Sequence, residues 1–327
     1  MPAVLVTRGV PEPVRAHLAG RCALEVWDGE GVMPRAELLE RVAGKAGLLA
    51  MLTDRVDGEL LAAAGPDLRV VANYAVGYDN LDLEACTARG VLATNTPDVV
   101  TEATADLAWA LLLAAARRVA EGDRFLRARR PWIWGPEFFL GFEVHGKTLG
   151  VLGLGRIGRA VARRAAGFGM PVLYTARRRL PPDEEDRLGV AWRELDDLLE
   201  EADFVSVHTG LSPATRHLIG PAQLARMKPT AVLVNTARGP IVDEAALAAA
   251  LRAGRPGAAG LDVFEHEPEV HPDLLGLDNV TIVPHLGTST VETRVAMGMA
   301  AAANLLAALE GRRPPNLLNP EALGSGS

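Results

Sequence analysis

Leu149-Gly-Val-Leu-Gly-Leu-Gly-Arg-Ile-Gly158 decides how the rest of the chain is read. Residues 149–152 read as a short buried strand, and Gly153, Gly155 and Gly158 follow in the spacing G-x-G-x-x-G. Residues 159–168 then read as a helix with Ala160, Val161, Ala165, Ala166 and Phe168 on its inner side. A strand that turns through glycines into a helix is the setting in which this spacing binds a dinucleotide. The first glycine permits the tight turn, the second lets backbone approach a pyrophosphate, and the third lets helix and strand pack closely. The helix N-terminus adds free N–H groups and the positive end of its dipole. Glycine-rich turns are common in α/β proteins, so the spacing needs support from the rest of the chain.

That support comes from both sides. Upstream, expected strands at 4–7, 23–27, 46–52, 69–72 and 91–94 alternate with helices opening at Pro11-Glu-Pro13 and spanning 34–42, 58–64 and 81–89. Downstream, strands at 172–174, 204–208, 231–235, 258–263 and 280–283 alternate with helices at 194–201, 221–227 and 244–253. Such alternation means parallel sheets covered by helices on both faces. Between the two series, 99–120 reads as one long, mostly buried Ala/Leu helix. Thr101 and Thr104 lie near its start, and Arg117-Arg118 lie at its negative dipole end. A stretch containing Trp132, Trp134, Phe138, Phe139 and Phe142 follows. It reads either as a loop packed over a core or as a subunit-contact arm, because aromatics anchor interfaces. The chain closes with an Ala-rich helix at 291–309, expected to return to the first series, and with residues 324–327, expected to be a disordered or appended tail. Two doubly wound α/β domains result.

The chain has 327 residues, room for about two domains. Its net charge of -7 argues against a nucleic-acid binder, which would show a basic face. The two cysteines, Cys22 and Cys86, sit in no ligand-like spacing, so neither a metal site nor a disulfide scaffold is expected. No run approaches the about 18 apolar residues of a membrane span. Met1 leads straight into an apolar strand without a basic-then-apolar leader, so a cytoplasmic protein is expected.

Three chemically suggestive residues lie just past expected strands of the second series: Arg238, Glu267 and His285. Ligands of open α/β sheets bind outside the carboxyl ends of the strands, so the three share an expected crevice. There an Arg forks onto a carboxylate and polarises a carbonyl, and a His moves a proton on the carbonyl oxygen. A Glu orients the imidazole and stabilises its cation. Taken one at a time, each has a plainer reading as a strand end, a solvated acidic face or a loop histidine. Their joint placement is what points to chemistry.

Over nearly its whole length the sequence resembles the D-isomer-specific 2-hydroxyacid dehydrogenases, most of all the glyoxylate/hydroxypyruvate reductases among them. The resemblance rests on Val71-Ala-Asn-Tyr-Ala-Val-Gly-Tyr-Asp-Asn-Leu-Asp82, Thr94-Asn-Thr-Pro-Asp98, Ala105-Asp-Leu-Ala108 and the glycine motif. Asn235-Thr-Ala-Arg-Gly239, Val242-Asp243, Gly260-Leu-Asp-Val-Phe-Glu265, Glu267-Pro268 and Pro284-His285 add to it. It implies a flavodoxin-like substrate domain (1–98 plus 287–323) and a Rossmann dinucleotide-binding domain (99–286), with a dimerisation arm at about 99–145. It also implies a homodimer.

By position, Arg238, Glu267 and His285 match the catalytic residues, and the amides of Val76 and Gly77 match the loop holding the substrate carboxylate. Gly153, Gly155, Arg156, Ile157, Gly158, Thr104, Thr236, Ala237, Asp262 and Gly287 are implied to line the cofactor, with Asp262 at the nicotinamide carboxamide. Leu52 is implied to narrow the substrate pocket, as is Trp134 reaching in from the partner subunit.

Two places depart from the family pattern. The run Val207-His-Thr-Gly-Leu211 has Gly210 where Pro-Leu is usual, which is expected to loosen a turn over the adenosine. An NAD site needs an acid about 20 residues past the glycines to hold the ribose 2′-OH. Here Thr175, Ala176, Arg177 and Arg178 occupy that place, with Arg179 read as a surface residue. Arg and a small hydroxyl suit a 2′-phosphate, so NADPH is expected, with NADH as a weaker alternative. The expected reaction is reduction of a small 2-oxo acid, glyoxylate or hydroxypyruvate, with His285 donating the proton. The alternatives are a dehydrogenase for another 2-oxo acid, phosphoglycerate included, or a non-catalytic dinucleotide-sensing protein on the same fold.

Overall fold

Runs such as Leu149–Leu152 and Val232–Asn235 are buried at every position, as strands are when helices cover both faces of their sheet. In the computed structural model, which describes residues 1–324, all the strands of both sheets are parallel. Of the expected tail 324–327, positions 325–327 lie outside the described residues. The chain divides into two units, Met1–Val100 with the segment from Ser289 onward, and Thr101–Thr288.

The first unit holds β1 (Ala3–Val6), β2 (Ala23–Val26), β3 (Gly47–Ala50), β4 (Val70–Asn73) and β5 (Leu92–Thr94), in the order β2-β1-β3-β4-β5. That is the flavodoxin-like order, whose direction reverses between β1 and β3. Leu38, Leu60, Leu61 and Cys86, from the helices Arg35–Arg41, Gly58–Ala64 and Leu83–Ala88, pack with Leu5, Leu48 and Val71 of the sheet. The helix Val291–Leu309 packs on β3 and β4 and against the helix Glu12–Leu18. A Cβ on Gly47 would come within 2.8 Å of Leu305 Cδ1, so β3 begins with the residue that lets this helix sit close.

The second unit holds β6 (Leu149–Leu152), β7 (Val172–Thr175), β8 (Val190–Trp192), β9 (Phe204–Val207), β10 (Val232–Asn235), β11 (Ala258–Leu261) and β12 (Val280–Ile282). Their order is β12-β11-β10-β9-β6-β7-β8, the doubly wound dinucleotide-binding arrangement with one further strand. The reversal lies between β6 and β9. One core forms on the side of the helices Thr101–Ala116 and Arg156–Ala165. The other forms under the helices Leu195–Glu201, Pro221–Arg226 and Glu244–Arg252. Among the described residues, no helix is long and apolar enough to cross a membrane.

Two local expectations are corrected, and one strand with the helix before it is added. The helix expected over 99–120 is two helices, Thr101–Ala116 and Val119–Arg127, separated by Arg118 at φ 54° and ψ 35°. Arg118 holds this corner by forking onto Glu121 (2.7 Å from each oxygen), donating to Leu140 O at 3.2 Å and lying 4.6 Å over the Phe139 ring. Phe142 N then takes the carbonyl of Ala116, at 2.8 Å, that a continuing helix would have used. The glycine-motif helix starts at Arg156, not Arg159, and its last residues, Ala166–Phe168, tighten into a 3-10 turn. The edge strand β8 and the helix Pro182–Leu188 before it were not foreseen, three strand residues being too few to show a period.

Candidate active site

At the end of β6 the backbone of Gly153 turns at φ +94°, a conformation L side chains rarely adopt. A Cβ there would also lie 2.7 Å from His208 O. A Cβ on Gly158 would lie 2.1 Å from Gly153 O, so strand and helix touch through this residue. Around Gly155, the helix N-cap, nothing lies within 4 Å of such a Cβ. Two glycines therefore close the turn while the third leaves space above the first helical residues, Arg156 and Ile157, as a bound pyrophosphate requires. Past β10, Thr236 Oγ1 is buried without a hydrogen-bond partner among the described residues. The open cradle and the unspent hydroxyl both fit a dinucleotide.

Past β9, His208 Nε2 lies 2.7 Å from Ser206 Oγ, and burial drives the imidazole down to about 3, so the ring is neutral. Gly210 does not adopt left-handed backbone. Its carbonyl accepts from Thr215 Oγ1 at 2.7 Å, and the same hydroxyl accepts from Ser212 N at 2.8 Å. The turn expected to be loosened by Gly210 is held shut by Thr215.

The ends of β10, β11 and β12 bring Arg238, Glu267 and His285 together. Asn235 grips the first loop at both ends: its Oδ1 accepts from Ala237 N at 3.0 Å, and its Nδ2 donates to Arg238 O at 2.9 Å. Gly239 lets that loop press on the next one, since a Cβ there would fall 1.9 Å from the carbonyl carbon of Phe264. Phe264 N donates to Glu267 Oε1 at 3.1 Å, and His285 Nδ1 donates to Glu267 Oε2 at 2.7 Å. Burial opposes ionisation of Glu267, but the hydrogen bond and charge of His285, the Phe264 amide and the Arg238 charge outweigh it and hold the carboxyl below its ordinary value. Nε2 of His285 has no partner among the described residues, which leaves it available for a proton at a substrate oxygen.

His285 sits at φ 53°, left-handed backbone that a non-glycine residue adopts only when its surroundings impose it. Asp262 imposes it. The Asp262 carbonyl accepts from His285 N at 2.9 Å, Oδ1 from Leu286 N at 2.5 Å, and Oδ2 from Gly287 N at 2.9 Å. A Cβ on Gly287 would be 3.1 Å from Asp262 Oδ2 and 3.6 Å from Thr104 Cγ2, so Thr104, Asp262 and Gly287 form one cluster. Burial raises the Asp262 carboxyl to about 6, against the two amides that favour its ionised form.

At the end of β7, Thr175 is partly covered while Arg177 and Arg178 are exposed. Arg179 is exposed, pairs with Glu185 at 2.9 Å and lies 5.4 Å over the Trp192 ring. Tyr174 donates to the same carboxylate at 2.7 Å and accepts from Leu180 N at 2.8 Å. The nearby acid is thus already engaged, whereas Arg177 and Arg178 make no ion pair among the described residues.

In the first unit, the loop after β4 carries Val76 and Gly77. Asn95 Nδ2 donates to Val76 O and Asn73 Nδ2 to Gly77 O, each at 2.8 Å. With both carbonyls tied back, the two N–H groups have no acceptor among the described residues, which suits them to an anion. Leu52 lies past β3, partly covered. Trp134 is 77% exposed on the segment after the helix Val119–Arg127.

The profile of the D-isomer specific 2-hydroxyacid dehydrogenase NAD binding domain matches residues 109–287. A glyoxylate reductase of Thermococcus onnurineus is 50% identical, over 98% of this chain and 97% of that one. The chain belongs to the D-isomer specific 2-hydroxyacid dehydrogenases. Among solved structures, a Thermus thermophilus protein superposes with a TM-score of 0.90 at 47% identity, covering 97% of this chain and 99% of that one. An NADPH-dependent glyoxylate/hydroxypyruvate reductase of Sinorhizobium meliloti, in complex with NADP and malonate, gives 0.83 at 32% identity, with coverages of 98% and 97%.

In this member of the family, several residues that shape the site escaped the sequence reading. Asn235 and Gly239 lay inside recognised motifs, but their contacts are tertiary. Glu265 looked like part of one acidic face with Glu267, yet it does different work. Its Oε1 accepts from Glu244 N at 2.9 Å and its Oε2 from His217 Nε2 at 2.8 Å, bracing the loop from behind.

Proposed function

We propose that the chain reduces a small 2-oxo acid, glyoxylate or hydroxypyruvate, to the corresponding 2-hydroxy acid. The observation that carries this reading is the Glu267–His285 pair at 2.7 Å, on loops neighbouring Arg238 at the carboxyl edge of the sheet that holds the glycine cradle. Gly153, Gly155, Gly158, Thr104, Thr236, Ala237, Asp262 and Gly287 are the residues assigned to hold a nicotinamide dinucleotide, which when bound supplies the hydride. Arg238 polarises the substrate carbonyl, and His285 delivers a proton from Nε2 to the carbonyl oxygen. Glu267 orients the ring and balances its charge. The amides of Val76 and Gly77 are assigned to the substrate carboxylate. Arg177 and Arg178, exposed and without an ion pair among the described residues, with Thr175 and an acid already occupied by Arg179, support NADPH over NADH.

The test is the initial rate of NADPH and NADH oxidation with glyoxylate and hydroxypyruvate, in the parent and in His285→Ala. Loss of general acid–base help lowers turnover by about 10²–10⁴-fold; near-normal turnover in the variant removes His285 from the mechanism. Neither a sensor nor a phosphoglycerate enzyme is favoured beside relatives named glyoxylate reductase.

A homodimer is part of the same proposal. Ile133 (88% exposed), Trp134 (77%) and Leu140 (62%) leave large apolar side chains in water within one segment, and a second copy of the chain is their proposed cover. Sedimentation at the monomer mass would refute it. The buried free thiols Cys22 and Cys86 suit a reducing compartment, here taken to be the cytoplasm.

A further inference from the structure

In the first unit, the sheet order β2-β1-β3-β4-β5 reverses between β1 and β3, and ligands of such sheets bind at that reversal. The residues just past these two strands are Thr7-Arg8 and Met51-Leu52. They are built into one hydrogen-bonded floor. Thr7 Oγ1 donates to Asp54 Oδ2 at 2.5 Å, and Met51 N donates to the same oxygen at 2.7 Å. Asn80 Nδ2 reaches Met51 O at 3.2 Å, Asp54 O at 3.0 Å and Asn73 Oδ1 at 3.1 Å. Asn73 in turn holds Gly77 O at 2.8 Å. The floor thus joins the Val76–Gly77 amides to the reversal point.

Arg8 follows Thr7 at this floor, close enough for its charge to act on Asp54. Its Nε is shielded from solvent without an acceptor, and among the described residues its guanidinium makes no hydrogen bond or ion pair. Asp54 feels its charge, but the hydrogen-bond partners of that carboxylate are Thr7 and Met51. A guanidinium cannot shed its charge, and partly covered ones are ordinarily paired. Arg8 lies two strands from the end of β4, about 10 Å at the usual spacing, a gap that a long Arg side chain and a three-carbon acid share between them.

We infer that Arg8 is a specificity-determining residue, taking an oxygen carried on C3 of the 2-oxo acid whose carboxylate the Val76 and Gly77 amides hold. The preferred substrate class is then 2-oxo acids with an oxygen on C3, hydroxypyruvate being the smallest. This assignment rests on the reductase reading above.

The test compares kcat/KM for hydroxypyruvate, pyruvate and glyoxylate in the parent, Arg8→Met and Arg8→Lys. Hydroxypyruvate and pyruvate differ by the one hydroxyl at issue. The parent favours hydroxypyruvate over pyruvate. Arg8→Met narrows that ratio by about 10- to 100-fold, the scale of a charge-assisted hydrogen bond, and lowers hydroxypyruvate reduction at least about tenfold more than glyoxylate reduction. Arg8→Lys, which keeps the charge and loses the planar fork, narrows the ratio by about 3- to 10-fold and decides the matter if the Met variant does not fold. An unmoved ratio, or equal losses on all three acids, overturns the role of Arg8 while leaving the reductase reading intact. A parent protein that reduces none of the three overturns both.

Discussion

Replacing Glu267 by glutamine removes one charge and little else. The new amide oxygen can still accept from Phe264 N, where Oε1 now does at 3.1 Å. The amide nitrogen then faces His285 Nδ1, and two donors meet where a carboxylate accepted at 2.7 Å. The imidazole must change tautomer or turn away, and its cation loses the counter-charge. A charge-assisted hydrogen bond of this kind is worth about 1.5–3 kcal/mol, or about 10- to 150-fold in rate. With the Glu267 side chain 35% exposed, solvent screening places the effect in the lower half of that span. The assay is steady-state NADPH oxidation with glyoxylate at neutral pH, with thermal melting to show that the fold is kept. Because Glu267 acts through His285, the same substitution in a His285→Ala background costs almost nothing further. A Glu267→Gln variant that loses as much rate without His285 as with it would refute this account of the pair.

Other outcomes follow from the same geometry. Gly158→Ala drives a Cβ to 2.1 Å from Gly153 O. It is expected to weaken NADPH binding at least about tenfold and to destabilise the fold by about 1–3 kcal/mol, and normal values in fluorescence titration and melting would contradict the close contact. Arg177→Ala with Arg178→Ala is expected to raise the KM for NADPH about 10- to 100-fold more than that for NADH; equal changes would discard the phosphate role. Asp262 is raised in the folded chain from 3.8 to about 6 by burial, so between these values the folded state binds a proton that the unfolded state has released. Its contribution to stability therefore falls as pH rises through that window, and Asp262→Asn should flatten the pH dependence of melting there. An unchanged slope would mean that another group controls it.

The elements legible in the sequence were those whose signal is local. β6 is an apolar run beside a glycine spacing, and Arg238, Glu267 and His285 each follow such a run. The corner at Arg118 was not legible. A helix that is Ala/Leu-rich up to residue 116 gives no warning that Glu121 and Leu140 O will hold an arginine in left-handed backbone. Asp262 could be matched by position, but its grip on Leu286 and Gly287 depends on β11 and β12 lying side by side. Arg8 had no local signal, since what marks it is the lack of a hydrogen-bond partner for its shielded Nε among the described residues.

The first unit is discontinuous in the chain, with its sheet made from residues up to Val100 and one covering helix, Val291–Leu309, made near the end. During synthesis the five strands emerge long before the helix that covers β3 and β4, whereas the second unit is complete once Thr288 has left the ribosome. Domains fold as units, generally in the order of their synthesis, but here the unit begun first is finished last. The apolar face around Gly47 waits through most of the chain's translation for Leu305. A ribosome stalled just after Thr288 has emerged would therefore display a finished second unit tethered to a half-covered sheet, the species in this chain most in need of a chaperone.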